Sequence, residues 1–228
     1  EQLQNFEARK AELLEELRCA EAKLDAASHN LSKNRQFYSE KLEKEIVEEL
    51  KELNFADVKF GIAFSKMDHY TKQGFDMIEF QISTNPGEPV KALTKVVSGG
   101  ELSRIMLAIK TILADKDDTE TLIFDEIDTG ISGRTAQKVS EKMARIGRNH
   151  QVLCITHLPQ IAAMADEHFE ILKSVEGMET RTRIHRLSED ESILELARIL
   201  GGAKITQAVE KNAKEMKELA AIQKTSRL

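Results

Sequence analysis

Residues 121–133 read TLIFDEIDTGISG, and the reading of this stretch decides the fold. Thr121–Phe124 is an apolar run too short for a helix and closed by two acids, the pattern of a buried strand. Residues 134–149, RTAQKVSEKMARIGRN, follow with helical spacing that turns Val139, Met143 and Ile146 inward. Residues 151–157, QVLCITH, form a second buried-type strand, and PQIAAMAD opens a helix with Pro159 in its first turn, where a missing N–H costs nothing. Strand, helix, strand, helix predicts an α/β chain built on a parallel sheet.

Upstream, residues 96–110 read VVSGGELSRIMLAIK. Two glycines after a serine open an amphipathic helix with Leu102, Ile105, Met106, Ile109 and Leu113 on one face. Such a turn lets backbone approach an anion, and the first N–H groups of the helix can bind it. Ser98 followed by Glu101 equally fits a capping box, so the turn by itself leaves both readings open.

Further upstream the period changes to two. FADVKFGIAF (55–64) places Val58, Phe60, Ile62 and Phe64 on one face, and FDMIEFQIS (75–83) does the same with Ile78, Phe80 and Ile82. With the polar SKMDHYTKQG between them they predict a hairpin, followed by a proline-bearing loop, TNPGEPVKAL. The first segment is helical: Leu3, Phe6, Lys10, Leu13, Leu17, Ala20, Leu24, Ala27 and Leu31 alternate by three and four. This heptad stripe favours a coiled coil whose partner helix lies outside the chain. The helix is expected to run on through Leu42, Ile46, Leu50 and Leu53. Toward the other end, HFEILKSV and TRTRIHRL flank EGME as a second hairpin, ESILELARILGG is a helix stopped by glycines, and ITQAVEKNAKEMKELAAIQ is a last helix.

Composition limits the functions. The 228 residues carry a net charge of −6, which argues against a basic footprint over the whole surface. Arg181, Arg183 and Arg186 make a small basic strand that also reads as ordinary solvated surface. Apolar residues at 41% support a sizeable core, and charged residues at 32% fit a long solvated helix. No apolar run is long enough for a membrane helix. Cys19 and Cys154 are far apart, with no metal-type spacing. Cys154 reads as a buried free thiol, in keeping with a reducing compartment.

Three positions carry chemistry. Asp125 and Glu126 stand at the carboxyl edge of a parallel strand, where ligands bind in open α/β folds. One carboxylate suits Mg²⁺ and the other can take a proton from water, although two solvated acids would look the same. His157 follows the next strand and belongs on the same edge. It can meet a terminal phosphate, or simply cap the loop.

Taken together, Ser-Gly-Gly before a helix, strand plus Asp-Glu, and strand plus Thr-His resemble, in that order, the signature motif, Walker B strand and switch histidine of ABC-type ATPase heads. DEID followed by DTGIS resembles the SMC-like branch. VSGGELSRIMLAIK, IFDEIDTGISG and ITHLPQIAAMADEHF together resemble the RecN family of bacterial DNA repair proteins, and NPGEP and ELARILGG agree. The resemblance runs from about Phe55 to the C-terminus.

It implies residues 1–53 as the returning strand of a coiled coil and residues 54–228 as the C-terminal lobe of an ATPase head. ATP and Mg²⁺ are the implied cofactors. Ser98, Gly99, Gly100 and Glu101 would meet nucleotide across a head–head homodimer. Asp125 would organise Mg²⁺, Glu126 would act as general base and His157 would sense the γ-phosphate. Asp128 and Ser132 would belong to the D-loop, lining the dimer contact and binding nucleotide there. No G-x-x-x-x-G-K-[ST] stretch occurs, so the resemblance implies that Walker A lies in the N-terminal half of its own head, before the coiled coil, and that this half is a partner of the lobe. This piece alone is expected to be inactive, and ATP hydrolysis to belong to the whole protein. DNA would be a partner of that protein, in the bacterial cytoplasm and nucleoid, and no membrane is expected. The alternatives are half of another SMC-like cohesion or recombination ATPase, or a non-catalytic coiled-coil dimerisation module.

Overall fold

A computed structural model describes residues 2–96, 98–116, 118–176, 179–202 and 204–225. Its secondary elements, in chain order, are α1 (Gln2–Glu52), β1 (Lys59–Thr71), β2 (Gly74–Ser83), β3 (Lys91–Ala92), α2 (Gly99–Leu113), β4 (Thr121–Phe124), α3 (Gly133–Ile146), β5 (Gln151–Cys154), α4 (Pro159–Ala163), β6 (Phe169–Glu176), β7 (Glu179–Arg186), α5 (Glu189–Gly201) and α6 (Gln207–Thr225). Backbone contacts group them into two compact units: Glu1–Glu48 with Asp57–Lys95, and Glu49–Ala56 with Val96–Leu228.

In the first unit, α1 lies along an antiparallel sheet of order β1-β2-β3. The heptad leucines Leu13, Leu17, Leu24 and Leu31 are exposed. The side chain of Leu3 lies outside the described residues. The helix buries a second stripe that the heptad reading does not contain: Ser28, Ser32, Ser39 and Ile46, spaced so that they share one face. Small side chains there let the hairpin come close. A Cβ on Gly74 would meet Leu31 Cδ2 at 3.4 Å and Ser28 Cβ at 4.0 Å.

Polar bonds fix this register. Ser32 Oγ and Arg35 Nη1 donate to the two carboxylate oxygens of Asp76 at 2.7 and 2.8 Å. The Ile62 N–H donates to Glu43 Oε1 at 2.7 Å, and Tyr70 Oη to Asp25 Oδ1 at 2.7 Å. These bonds explain why the strands run through the polar stretch expected to connect them: β1 continues to Thr71, leaving only Lys72 and Gln73 as the turn. The expected loop after β2 also differs, since Lys91–Ala92 pairs with β2.

In the second unit β4 and β5 pair in parallel, Thr121 opposite Gln151 through Phe124 opposite Cys154, with α3 as the crossover. The inward face of α3 is the expected one, with Val139, Met143 and Ile146 buried. Lys142 is buried beside them, with Nζ bonded to Glu49 and, at 2.7 Å, to Glu52 Oε2.

The buried face of α2 is rotated from the expected one. Arg104, Ile105, Leu107, Ala108, Ile109 and Thr111 are buried, whereas Leu102 is exposed and Met106 half-buried. The reason is Arg104: its guanidinium bonds inward, so the helix turns a charged residue to the core, which apolar spacing cannot foresee.

A second small core joins α4, α5 and α6 through Ala162, Ala163, Leu196, Ala197 and Ala213. Ser188 caps α5 with a full capping box to Glu191, and Gly202 at φ 63° ends it, its N–H donating to Arg198 O at 2.9 Å. Strands β6 and β7 pair as the expected antiparallel hairpin. Its turn, Gly177–Met178, lies outside the described residues.

Candidate functional site

The site forms at the carboxyl ends of β4 and β5 and the N-terminus of α2, all within the second unit. Ser98 is the N-cap of α2, its Oγ accepting from the Glu101 N–H at 3.4 Å. Ser98 therefore caps the helix from its side chain alone, without the reciprocal bond of a capping box, and it stays exposed at the helix mouth.

The two glycines differ. A Cβ on Gly99 would strike the Glu126 carboxylate, the far end of a flexible side chain. A Cβ on Gly100 would sit 2.9 Å from Glu126 O and 3.0 Å from Thr129 Cβ. Gly100 is thus required within the chain, because α2 starts against the backbone that follows β4.

That backbone is a tight turn. Glu126 has φ 56°, left-handed for a non-glycine residue, a conformation costing about 1–3 kcal/mol that surrounding structure must enforce. The enforcing bonds are visible. Glu126 N–H donates to Asp125 Oδ1 at 2.9 Å, and Thr129 N–H donates to Glu126 O at 3.0 Å. From α2, Ser103 Oγ donates to Asp125 O at 2.7 Å, and Arg104 Nη1 donates to Ile127 O at 3.3 Å and Thr129 O at 2.8 Å. Two consecutive residues of α2 thereby hold alternate carbonyls of the turn. The Arg104 guanidinium also lies 5.5 Å over the Phe55 ring. Burial lowers its affinity for its proton, partly offset by Glu101.

Asp125 and Glu126 are exposed at the strand end. Among the described residues no cluster of three or more His, Cys, Asp or Glu side chains could cage a metal ion. One carboxylate at a strand end still fits Mg²⁺, which takes one or two protein carboxylates and completes its shell with phosphate and water.

Asp128 is only 4% exposed. Its Oδ2 accepts from Thr156 Oγ1 at 2.6 Å and from His157 N–H at 2.8 Å, and lies 2.9 Å from His157 Nδ1. Leu158 N–H donates to Thr156 Oγ1 at 3.0 Å. The His157 ring is otherwise open to solvent. Ser132, in extended backbone at the N-cap of α3, makes no side-chain cap bond and is exposed. Of the candidate residues, Ser98, Gly99, Gly100, Glu101, Asp125 and Glu126 adjoin one another, Asp128 is tied to His157, and Ser132 lies at the head of α3.

Cys154 is a half-buried free thiol on β5, pushed up to about 12 by burial and by Asp128 and Asp125. Sequence reading assigned no role to Ser103, Arg104 or Thr156. The one available signal was Arg104 itself, four residues after Gly100 and so on the face that carries the glycine.

An α/β lobe with this order of motifs at one sheet edge is of the ABC/SMC ATPase-head class. No protein-family model matches the chain. It is 40% identical over 241 aligned positions to the DNA repair protein RecN of Bacillus subtilis, covering 99% of this chain and 42% of that one. RecN of Vibrio cholerae is 43% identical over 192 positions, covering 84% of this chain and 35% of its own. Over the stretch it spans, the chain belongs to the RecN family; that stretch is less than half the length of these relatives. Among solved structures, the Smc head domain with coiled coil and joint from Pyrococcus yayanosii superposes with a TM-score of 0.49 at 20% identity, covering 71% of this chain and 29% of that one.

Proposed function

We propose that this chain is the signature-bearing half of an SMC-like ATPase head, with residues 1–53 as one strand of a coiled coil and residues 54–228 as the head lobe. The observation that carries the proposal is the convergence, in one unit, of the α2 mouth, the Asp125–Glu126 turn and His157. The relatives' name, DNA repair protein, supplies the process, repair of DNA; recombination and a place in the bacterial cytoplasm are added by this proposal.

In this reading the Walker A half holds ATP. Ser98 and the first N–H groups of α2, exposed at the helix mouth, face the nucleotide of a second head, where a helix N-terminus stabilises negative charge. Asp125 would hold Mg²⁺, which when bound would supply positive charge against the phosphates. Glu126, fixed by its left-handed backbone, takes the proton of the attacking water, and His157 meets the terminal phosphate. Phosphoryl transfer asks for positioning and electrostatics rather than covalent chemistry, and each of these residues is held from its own backbone. Ser132, exposed at the α3 N-cap, belongs to the surface between heads. Asp128 stands behind that surface.

The test mixes the chain with the Walker A half. Nucleotide-dependent dimers and ATP hydrolysis are expected in the mixture, with hydrolysis lost and dimers retained in Glu126→Gln. Hydrolysis by the chain alone, or unchanged turnover in Glu126→Gln, would overturn the assignment. A mixture that never hydrolyses ATP would favour a dimerisation module instead.

A further inference from the structure

We infer that Arg104 is a positioning residue for the proposed hydrolysis: with Ser103 it fixes the backbone on both sides of Glu126, and so aims the carboxylate that takes the proton of water. The inference rests on the general-base reading of Glu126 and concerns a residue for which the resemblance implied no task.

The need for such a residue lies in the backbone of Glu126. At φ 56° a residue other than glycine is strained. A turn free to relax would return to negative φ and swing the Glu126 side chain with it. The peptide before Glu126 is bonded at both ends. Its carbonyl, Asp125 O, accepts from Ser103 Oγ at 2.7 Å, and its N–H donates to Asp125 Oδ1 at 2.9 Å. Beyond Glu126, Arg104 Nη1 donates to Ile127 O at 3.3 Å and to Thr129 O at 2.8 Å, and Ile127 is fully buried. Glu126 thus stands between two anchored peptides, both tied to one helix.

Arg104 holds those carbonyls at a cost. It is 7% exposed. Among the described residues its bonds go to carbonyl oxygens and none to a carboxylate, and its Nε is buried without a bond. A buried charge so incompletely paired is not what stability alone selects. A strained residue held by a costly neighbour is the pattern of a functional site.

The same helix opens at Ser98, toward the nucleotide of the second head in the proposed dimer. Ser103 and Arg104 follow that mouth by about one and a half helical turns. Gly100 leaves no slack between helix and turn, since a Cβ there would sit 2.9 Å from Glu126 O. A shift of α2 therefore carries the turn of Glu126 with it.

The test has two readouts. In the backbone-assigned 228-residue chain, the intraresidue amide–Hα NOE of Glu126 reports its left-handed backbone. Arg104→Met should weaken that NOE, and Arg104→Lys, whose ammonium still donates, should restore it in part. Ser103→Ala removes a single hydroxyl and should weaken the same signal, so the test survives a poorly folded Arg104 variant. An NOE unchanged in folded Arg104→Met, or in Ser103→Ala where the Arg104 variant does not fold, would overturn the inference.

In the chain joined to its Walker A half, Arg104→Met should lower kcat about tenfold or more, since misplacing a reacting group slows the chemical step. KM should change by less than about threefold, and Arg104→Lys should recover part of kcat. Leu196→Ala, a truncation in the core of α4, α5 and α6, controls for lost stability and should keep kcat within about twofold. An unchanged kcat in Arg104→Met, or an equal loss in Leu196→Ala, would overturn the positioning role. In a Glu126→Gln background Arg104→Met should slow residual turnover by less than about twofold; multiplying effects would show that Arg104 acts elsewhere. If Glu126→Gln leaves turnover unchanged, the general-base reading fails, while the NOE still decides whether Arg104 holds the turn.

Discussion

Arg104 Nη1 donates to the carbonyl of Thr129 at 2.8 Å across a sequence separation of 25 residues. A guanidinium on the helix that opens with Gly99 and Gly100 thus clamps the turn that carries Glu126. Arg104→Met leaves two carbonyls without their donor, and loss of bonds to a charged group costs about 1.5–3 kcal/mol. Arg104→Lys keeps a donor but not the planar fork, and should recover part of the loss. Urea unfolding of the three chains checks this; Met and Lys variants as stable as the parent would show that the clamp contributes nothing.

Gly99 and Gly100 should respond differently to alanine. At Gly100 a Cβ meets backbone and the Thr129 side chain at 2.9–3.3 Å, so Gly100→Ala should cost about 1–3 kcal/mol through overpacking. At Gly99 the obstacle is the mobile end of Glu126. Gly99→Ala should be close to neutral, since alanine gains up to about 1 kcal/mol of helix propensity. Thermal melting separates them: a Gly99 variant that melts well below the Gly100 variant would contradict the packing.

Burial lowers the proton affinity of His168, with Lys217 adding to it and Glu195 and Glu170 opposing. Its Nδ1 lies 2.8 Å from Ser192 Oγ. Because the folded value lies below the unfolded one of about 6.5, protons bind the unfolded chain more readily. Stability from this group is therefore full above that value and is lost as pH falls toward the folded one. His168→Gln should reduce the drop in urea midpoint between about pH 7 and pH 5.5. An identical drop in both chains would rule out His168 as its source.

The cysteines should differ in reactivity. Cys19 is exposed on α1, whereas Cys154 is held as a thiol by burial and by neighbouring carboxylates. A thiol reagent at pH 8 should label one cysteine rapidly in the native chain and both in denaturant, because the thiolate is the reacting form. Rapid native labelling of Cys154, located by peptide mapping, would count against that environment.

Much of this was legible in the sequence because it is local. Two apolar four-residue runs with a helical crossover give β4, α3 and β5. Ser98 announces the start of α2 and Gly202 the end of α5, whereas the Ser188 cap that starts α5 two residues before the expected Glu191 was not read. The placing of Asp125, Glu126 and His157 at one sheet edge follows from parallel strands alone. Where the reading slipped, a distant partner had intervened. The hairpin strands outran their apolar pattern because α1 supplies bonds to Ile62, Tyr70 and Asp76. The buried serine stripe of α1 escaped notice because serine carries no hydrophobic signal.

The sequence by itself determined the elements, their order and the edge at which the polar residues gather, since period, caps and turn residues act over a few positions. Only the tertiary structure decided what those residues face. Asp128 reaches the His157 amide over 29 residues and Arg104 reaches Thr129 over 25. Spacing along a chain carries no record of such pairs; they exist because a buried carboxylate and a buried guanidinium must find partners wherever folding places them.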